Sequence, residues 1–146
     1  MEFQEPNGHQ PEEEGVAIYS KWAILLFSII FSPLIGGILL MLNLRSVGYK
    51  REGTRVLLFA IAYQFMAGAI ITKVLNLPVN ATLTQIVANP KFIIYTFVGQ
   101  IIGGGILAEY FFKKYFPDDD YEHKSVWRPL AIIILITLAL NLVAVL

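Results

Sequence analysis

Glu109 has the strongest claim to chemistry in this sequence. It stands just beyond a stretch, residues 92–108, with no charged side chain. A carboxylate carried into a bilayer costs on the order of 2–3 kcal/mol, so such a group is a functional candidate by default, able to take up a proton or a cation. The competing chemistry is structural. Lys113 follows at i+4, and Arg45 and Arg128 are expected at a similar level, so Glu109 can instead close an ion pair at the membrane boundary. Other chemistries fail on inventory. There is no cysteine, and the two histidines, His9 and His123, lie outside the apolar stretches. Disulfides, thiolate metal sites and thiol nucleophiles therefore drop out. No carboxylate pair stands at catalytic spacing, so neither an enzyme activity nor a cofactor is expected. Asp118, Asp119, Asp120, Glu122 and His123 lack the spacing of a calcium loop and read as a solvated turn, so no metal is expected either.

A second group of residues speaks of helix packing. In Ser32-Pro33-Leu34-Ile35-Gly36-Gly37, the proline removes a backbone donor and crowds the carbonyl of Ile29, which predicts a kink. Ser28 or Ser32 would satisfy the freed carbonyl, and Gly36 with Gly37 would leave a notch for a neighbouring helix. Gly99 and Gly103 form a G-x-x-x-G pair that Gly104, Gly105 and Ala108 extend into a small-residue surface suited to close helix approach. Asn43, Gln64 and Gln100 are placed to hydrogen-bond between helices. Gly48 reads as the residue that ends the first helix.

The elements that must position these residues follow from charge-free stretches. Residues 22–44, 56–72, 92–108 and 129–146 contain no Asp, Glu, Lys or Arg. Each approaches the ~20 residues that cross a hydrocarbon core as a helix. The expected fold is all-α: an integral membrane bundle of four transmembrane helices, about 20–45, 55–77, 91–113 and 128–146. An acidic N-terminal tail, residues 1–18, should be disordered, and the membrane domain takes residues 19–146. Hydrophobic residues make up 56% of the chain and charged ones 15%, which leaves too little polar surface to surround four buried helices in water. The first apolar stretch is too long for a signal peptide and follows glutamates rather than basic residues. The net charge is zero, with no basic face for nucleic acid.

The connections are sharply uneven in Lys and Arg. The first holds Arg45, Lys50, Arg51 and Arg55, and the third holds Lys113, Lys114, Lys124 and Arg128. The second holds Lys73 and Lys91 at its edges, and Lys21 alone precedes the first helix. By the positive-inside rule the first and third connections face the cytoplasm and both termini lie outside. Tyr19 and Trp22 would anchor one interface, and Tyr49, Tyr115, Tyr121 and Trp127 the other. In the second connection, Pro78 and Pro90 bracket residues 82–88, which could form a short surface helix. Residues 35–39 align with residues 103–107, so two helical hairpins in parallel orientation are a candidate internal repeat.

Two resemblances rest on these residues. Tyr19, Ser20, Ser32, Pro33, Gly36, Gly37, Asn43 and Gly48 make a pattern that resembles a group of uncharacterised small multi-pass bacterial membrane proteins, which implies a bacterial inner membrane and supplies no activity. Residues 103–109, Gly-Gly-Gly-Ile-Leu-Ala-Glu, look like a segment of the small multidrug resistance transporters. That likeness implies a proton-coupled role for Glu109, although those proteins carry the segment in their first helix, and Lys113 and Lys114 follow it here. The favoured expectation is a structural or accessory component in contact with the lipid bilayer, forming a homo-oligomer or part of a larger complex. The alternative is a small proton- or cation-coupled transporter or channel, acting as a homo-oligomer with Glu109 near the pathway.

Overall fold

A computed structural model describes residues 16–78, 80–118 and 121–145, the side chains of residues 83, 141 and 143–145 excepted. The disorder expected of the tail thus falls largely on residues outside those described, as do Asp119 and Asp120. Among the described residues the chain is helical, with one isolated backbone bridge between Ile18 and His123.

The first expected span is two helices rather than one. Helix α1 (Lys21–Ile30) stops at Phe31, and α2 (Pro33–Ser46) starts after Ser32, whose backbone is extended. The cause is local. The ring of a proline pushes the preceding residue out of the helical region, while at the first position of a new helix its missing N–H costs nothing. Ser32 Oγ then accepts from the N–H of Ile35, capping α2. Among the described residues neither serine hydrogen-bonds to the carbonyl of Ile29 as expected: Ser28 Oγ donates to the carbonyl of Ile24 and Ser32 Oγ caps α2, while a different carbonyl at the break, Phe31 O, accepts from Gln100 Nε2 at 3.2 Å.

After the break the chain turns back. The side chain of Asn43, near the end of α2, accepts from the N–H of Tyr19 at 2.8 Å and donates to its carbonyl at 2.7 Å, just ahead of α1. The start of α1 and the end of α2 therefore lie at the same end of the molecule, and the Ser32 break is the tip of a helical hairpin. With 10 and 14 residues, the arms measure about 15 and 21 Å at 1.5 Å per residue, each short of a ~30 Å hydrocarbon core.

Two longer helices flank the hairpin. Helix α3 (Lys50–Val74) and the continuous rod Pro90–Tyr115 are long and apolar enough to cross a membrane. The rod begins as α5 (Pro90–Gly105), widens into a π-helical stretch, Ile106–Phe112, and closes with the short α6 (Lys113–Tyr115). Between α3 and α5 lies α4 (Leu83–Val87), where Thr82 and Gln85 cap each other's backbone N–H groups in a capping box. The last helix, α7 (Trp127–Val145), has Arg128 in its first turn and is apolar beyond it apart from Thr137 and Asn141.

The core fills one half of this arrangement. Ile24, Phe27, Leu40 and Leu44 of the hairpin meet Val56 of α3 and Leu107 and Phe112 of the π-helical stretch, all buried. Ile18, 1% exposed, belongs to that core, with its N–H donating to Glu122 O and its carbonyl accepting from Lys124. Order thus reaches back into the segment expected to be tail. Beyond the tip, the far halves of α3 and α5 present Phe65, Met66, Ile70, Ile94 and Phe97 outward.

The aromatic residues expected to mark two interfaces gather at one end. Lys124 lies over the Tyr19 ring, Tyr121 packs on Phe112 and Phe116, and Tyr49 packs on Tyr115. Nor does the molecule show two equivalent hairpins. Helix α2 packs along α3, whereas the described side chains of α7 beyond Ile133 are exposed. Residues 35–39 lie in the returning arm of a broken hairpin, while residues 103–107 lie in an unbroken rod.

Candidate functional site

Two polar constellations stand out, one at the hairpin tip and one at its base. At the tip, the start of α2 faces a cleft of about 100 Å³ between α3 and α5, lined by Pro33, Tyr63, Gln64, Thr96, Gly99 and Gln100 among others. Tyr63 bridges the two long helices, its hydroxyl donating to Gly99 O at 2.7 Å. Gln100 joins α5 to the hairpin through Phe31 O. Thr96 Oγ1 is buried and has no hydrogen-bond partner among the described residues. Gln64, expected to cross between helices, lines the cleft without a hydrogen bond among the described residues.

The small residues decide how closely the hairpin seats. A methyl group added at Gly36 would overlap Ser28 Oγ, so α1 and α2 touch through that glycine. At Gly103 the added carbon would stand 2.6 Å from Pro33 Cγ, and at Gly104 2.7 Å from Ser28 Cβ. The α5 glycines are thus the surface against which the hairpin rests. Gly37 meets Ala60 of α3 in the same manner. The G-x-x-x-G pair divides: Gly103 is used inside the chain, while Gly99, like Gly105, would gain a methyl group without meeting anything within 4 Å. Below this contact Leu107 and Ala108 are fully buried, so dry packing separates the tip cleft from the hairpin base.

At the base, Glu109 lies between two lysines. Its Oε1 is 3.0 Å from Lys21 Nζ, and its Oε2 pairs with Lys113 one turn onward. Lys113 was legible from its i+4 spacing, but Lys21 was not, because a partner so distant in sequence is brought in only by the hairpin's return. Arg45 and Arg128, expected at a similar level, are exposed and form no ion pair with Glu109 among the described residues. Glu109 itself is half-exposed and does not line the tip cleft. No cluster of metal-ligating side chains occurs among the described residues.

The arrangement can therefore hold a polar break in an apolar region and hold charges at one end. No known family model, curated protein or solved structure matches the chain.

Proposed function

We propose that the chain is a multi-pass membrane protein whose work is to pack with other helices, as a structural or accessory component of a homo-oligomer or a larger assembly. The observation that carries this reading is α7. From residue 134 to residue 140 every side chain is exposed and, apart from Thr137, apolar, so little of the chain's own core covers it. A helix that is apolar all round needs lipid or another protein around it. The outward-facing far halves of α3 and α5 make the same demand.

Within this reading α3, the rod Pro90–Tyr115 and α7 cross the bilayer, and α1–α2 enters and returns on one side. The geometry of the hairpin supports that placement over four crossings, and so does the charge. Of the eleven Lys and Arg residues, all but Lys73 and Lys91 belong to segments at the hairpin-base end. That end faces the cytoplasm by the positive-inside rule. The N-terminal segment then starts in the cytoplasm, in place of the outside location expected from four crossings, and α7 ends outside. The inner membrane of a bacterium is the setting that the resemblance to small multi-pass bacterial proteins implies.

The test is the native mass of protein extracted gently from its membrane, with co-purifying chains identified. A homo-oligomer or a fixed-ratio complex supports the reading, and a clean monomer overturns it. The tip cleft favours a second reading, a small transporter or channel, because broken helices at membrane depth are tolerated where they line a cavity. Solute or proton flux in vesicles containing the purified chain, abolished by Gln100→Leu or Glu109→Gln, would move the assignment there.

A further inference from the structure

We propose that the cluster formed by Lys21 and Lys113 binds the phosphate of an anionic phospholipid headgroup. This inference rests on the membrane reading above and adds a ligand to the base of the hairpin. Two ammonium groups share the one carboxylate of Glu109, so the trio carries one unbalanced positive charge. Among the described residues neither lysine has a second acidic partner.

A second anion has room. A cleft of about 310 Å³ is lined by Lys21, Phe112, Lys113, Phe116 and Pro117. Lys21 also borders a neighbouring cleft of about 340 Å³ whose walls include Trp22 and His123. Lys21 Nζ lies 5.7 Å from the centre of the Trp22 ring, and Trp22 is 65% exposed. Indole rings in such positions sit at the level of lipid headgroups.

The apolar part of the ligand has a track as well. Trp22, Leu26 and Ile30 are all exposed and recur at four-residue spacing, which places them in one row along α1. The row begins beside Lys21 and runs toward the hairpin tip, so a headgroup held by the lysines would lay its acyl chain along it. A phosphodiester with one net negative charge balances the trio, whereas a zwitterionic headgroup brings no net charge to it. Basic residues near the headgroups attract anionic lipid by these same charges.

The full chain is extracted in mild detergent and washed, and its retained phospholipid is identified and quantified by mass. Retention of anionic phospholipid that falls about fivefold for each lysine removed, in Lys21→Gln and Lys113→Gln, supports the proposal. Lys21→Arg should restore retention, which separates loss of charge from loss of fold, and Lys50→Gln should leave it unchanged. Glu109→Gln should raise retention, because two positive charges then face the headgroup unopposed. Equal retention by the double lysine variant, equal retention of zwitterionic lipid, or displacement of the lipid by excess inorganic phosphate overturns it. Flotation of native membranes after carbonate washing reads the other assumption separately. A chain that does not float refutes the membrane reading itself, whereas one that floats without lysine-dependent lipid refutes only this site.

Discussion

Asn43 holds both backbone hydrogen-bonding groups of Tyr19, accepting from its N–H and donating to its carbonyl. The Asn43 side chain is buried at 2% exposure, so neither backbone group of Tyr19 has an evident substitute in water. One side-chain amide thus ties the segment ahead of α1 to the last turn of α2 and closes the hairpin. Asn43→Ala should cost about 2–4 kcal/mol, since two buried backbone groups lose their partners at once. Unfolding of the purified protein in detergent checks this. Asn43→Asp should also destabilise, because it keeps an acceptor and loses the donor.

The hairpin predicts where each connection can be reached from. The chain has no cysteine, so single cysteines introduced at Gly8, Ser46, Asn80 and Ser125 can be labelled one at a time in intact cells. Gly8, Ser46 and Ser125 should be protected from an impermeant reagent, and Asn80 should react. A reactive Gly8 position with a protected Ser46 position would mean that residues 20–45 cross the bilayer as one span.

Glycine substitutions should separate by use rather than by motif. Gly103→Ala, directed at Pro33 and Tyr63, should destabilise by about 1–3 kcal/mol through overpacking. Gly105→Ala meets nothing within 4 Å and should stabilise by up to about 1 kcal/mol through helix propensity. The measurement is the unfolding midpoint of each variant. A loss of native mass in Gly105→Leu with unchanged stability would place that open face in an interface between chains.

The tip should be sensitive at Gln100. Its amide satisfies the carbonyl of Phe31 at the break, and in the proposed membrane placement no water is at hand to replace it. Gln100→Leu should cost about 1–3 kcal/mol, while Ser32→Ala, which removes only the cap of α2, should cost about 1 kcal/mol. Thermal unfolding compares the two, and a larger loss at Ser32 would show that the cap, not the carbonyl, governs the break.

Much of the molecule was legible along the chain. Apolar stretches marked where helices lie, because a run without charge is stable in a bilayer only as a hydrogen-bonded helix. Ser32-Pro33 marked the place where one of them fails, because proline restricts the residue before it whatever its neighbours. The Glu109–Lys113 pair was legible too, since i+4 spacing sets two side chains one above the other on any helix. What these local rules cannot supply is direction. A proline break is compatible with a kink or with a full reversal, and contacts between residues far apart in sequence choose between them. Asn43 with Tyr19, Gly104 with Ser28, and Gly103 with Pro33 made the choice here. Reversal then brought Lys21 to Glu109 and moved Tyr19 and Trp22 to the same end as Tyr121 and Trp127. The sequence alone determined which segments are helical and how charge is divided among the connections, because both are properties of neighbouring residues. Only the tertiary structure decided which ends meet, because that depends on how closely glycine faces and one buried amide allow distant segments to pack.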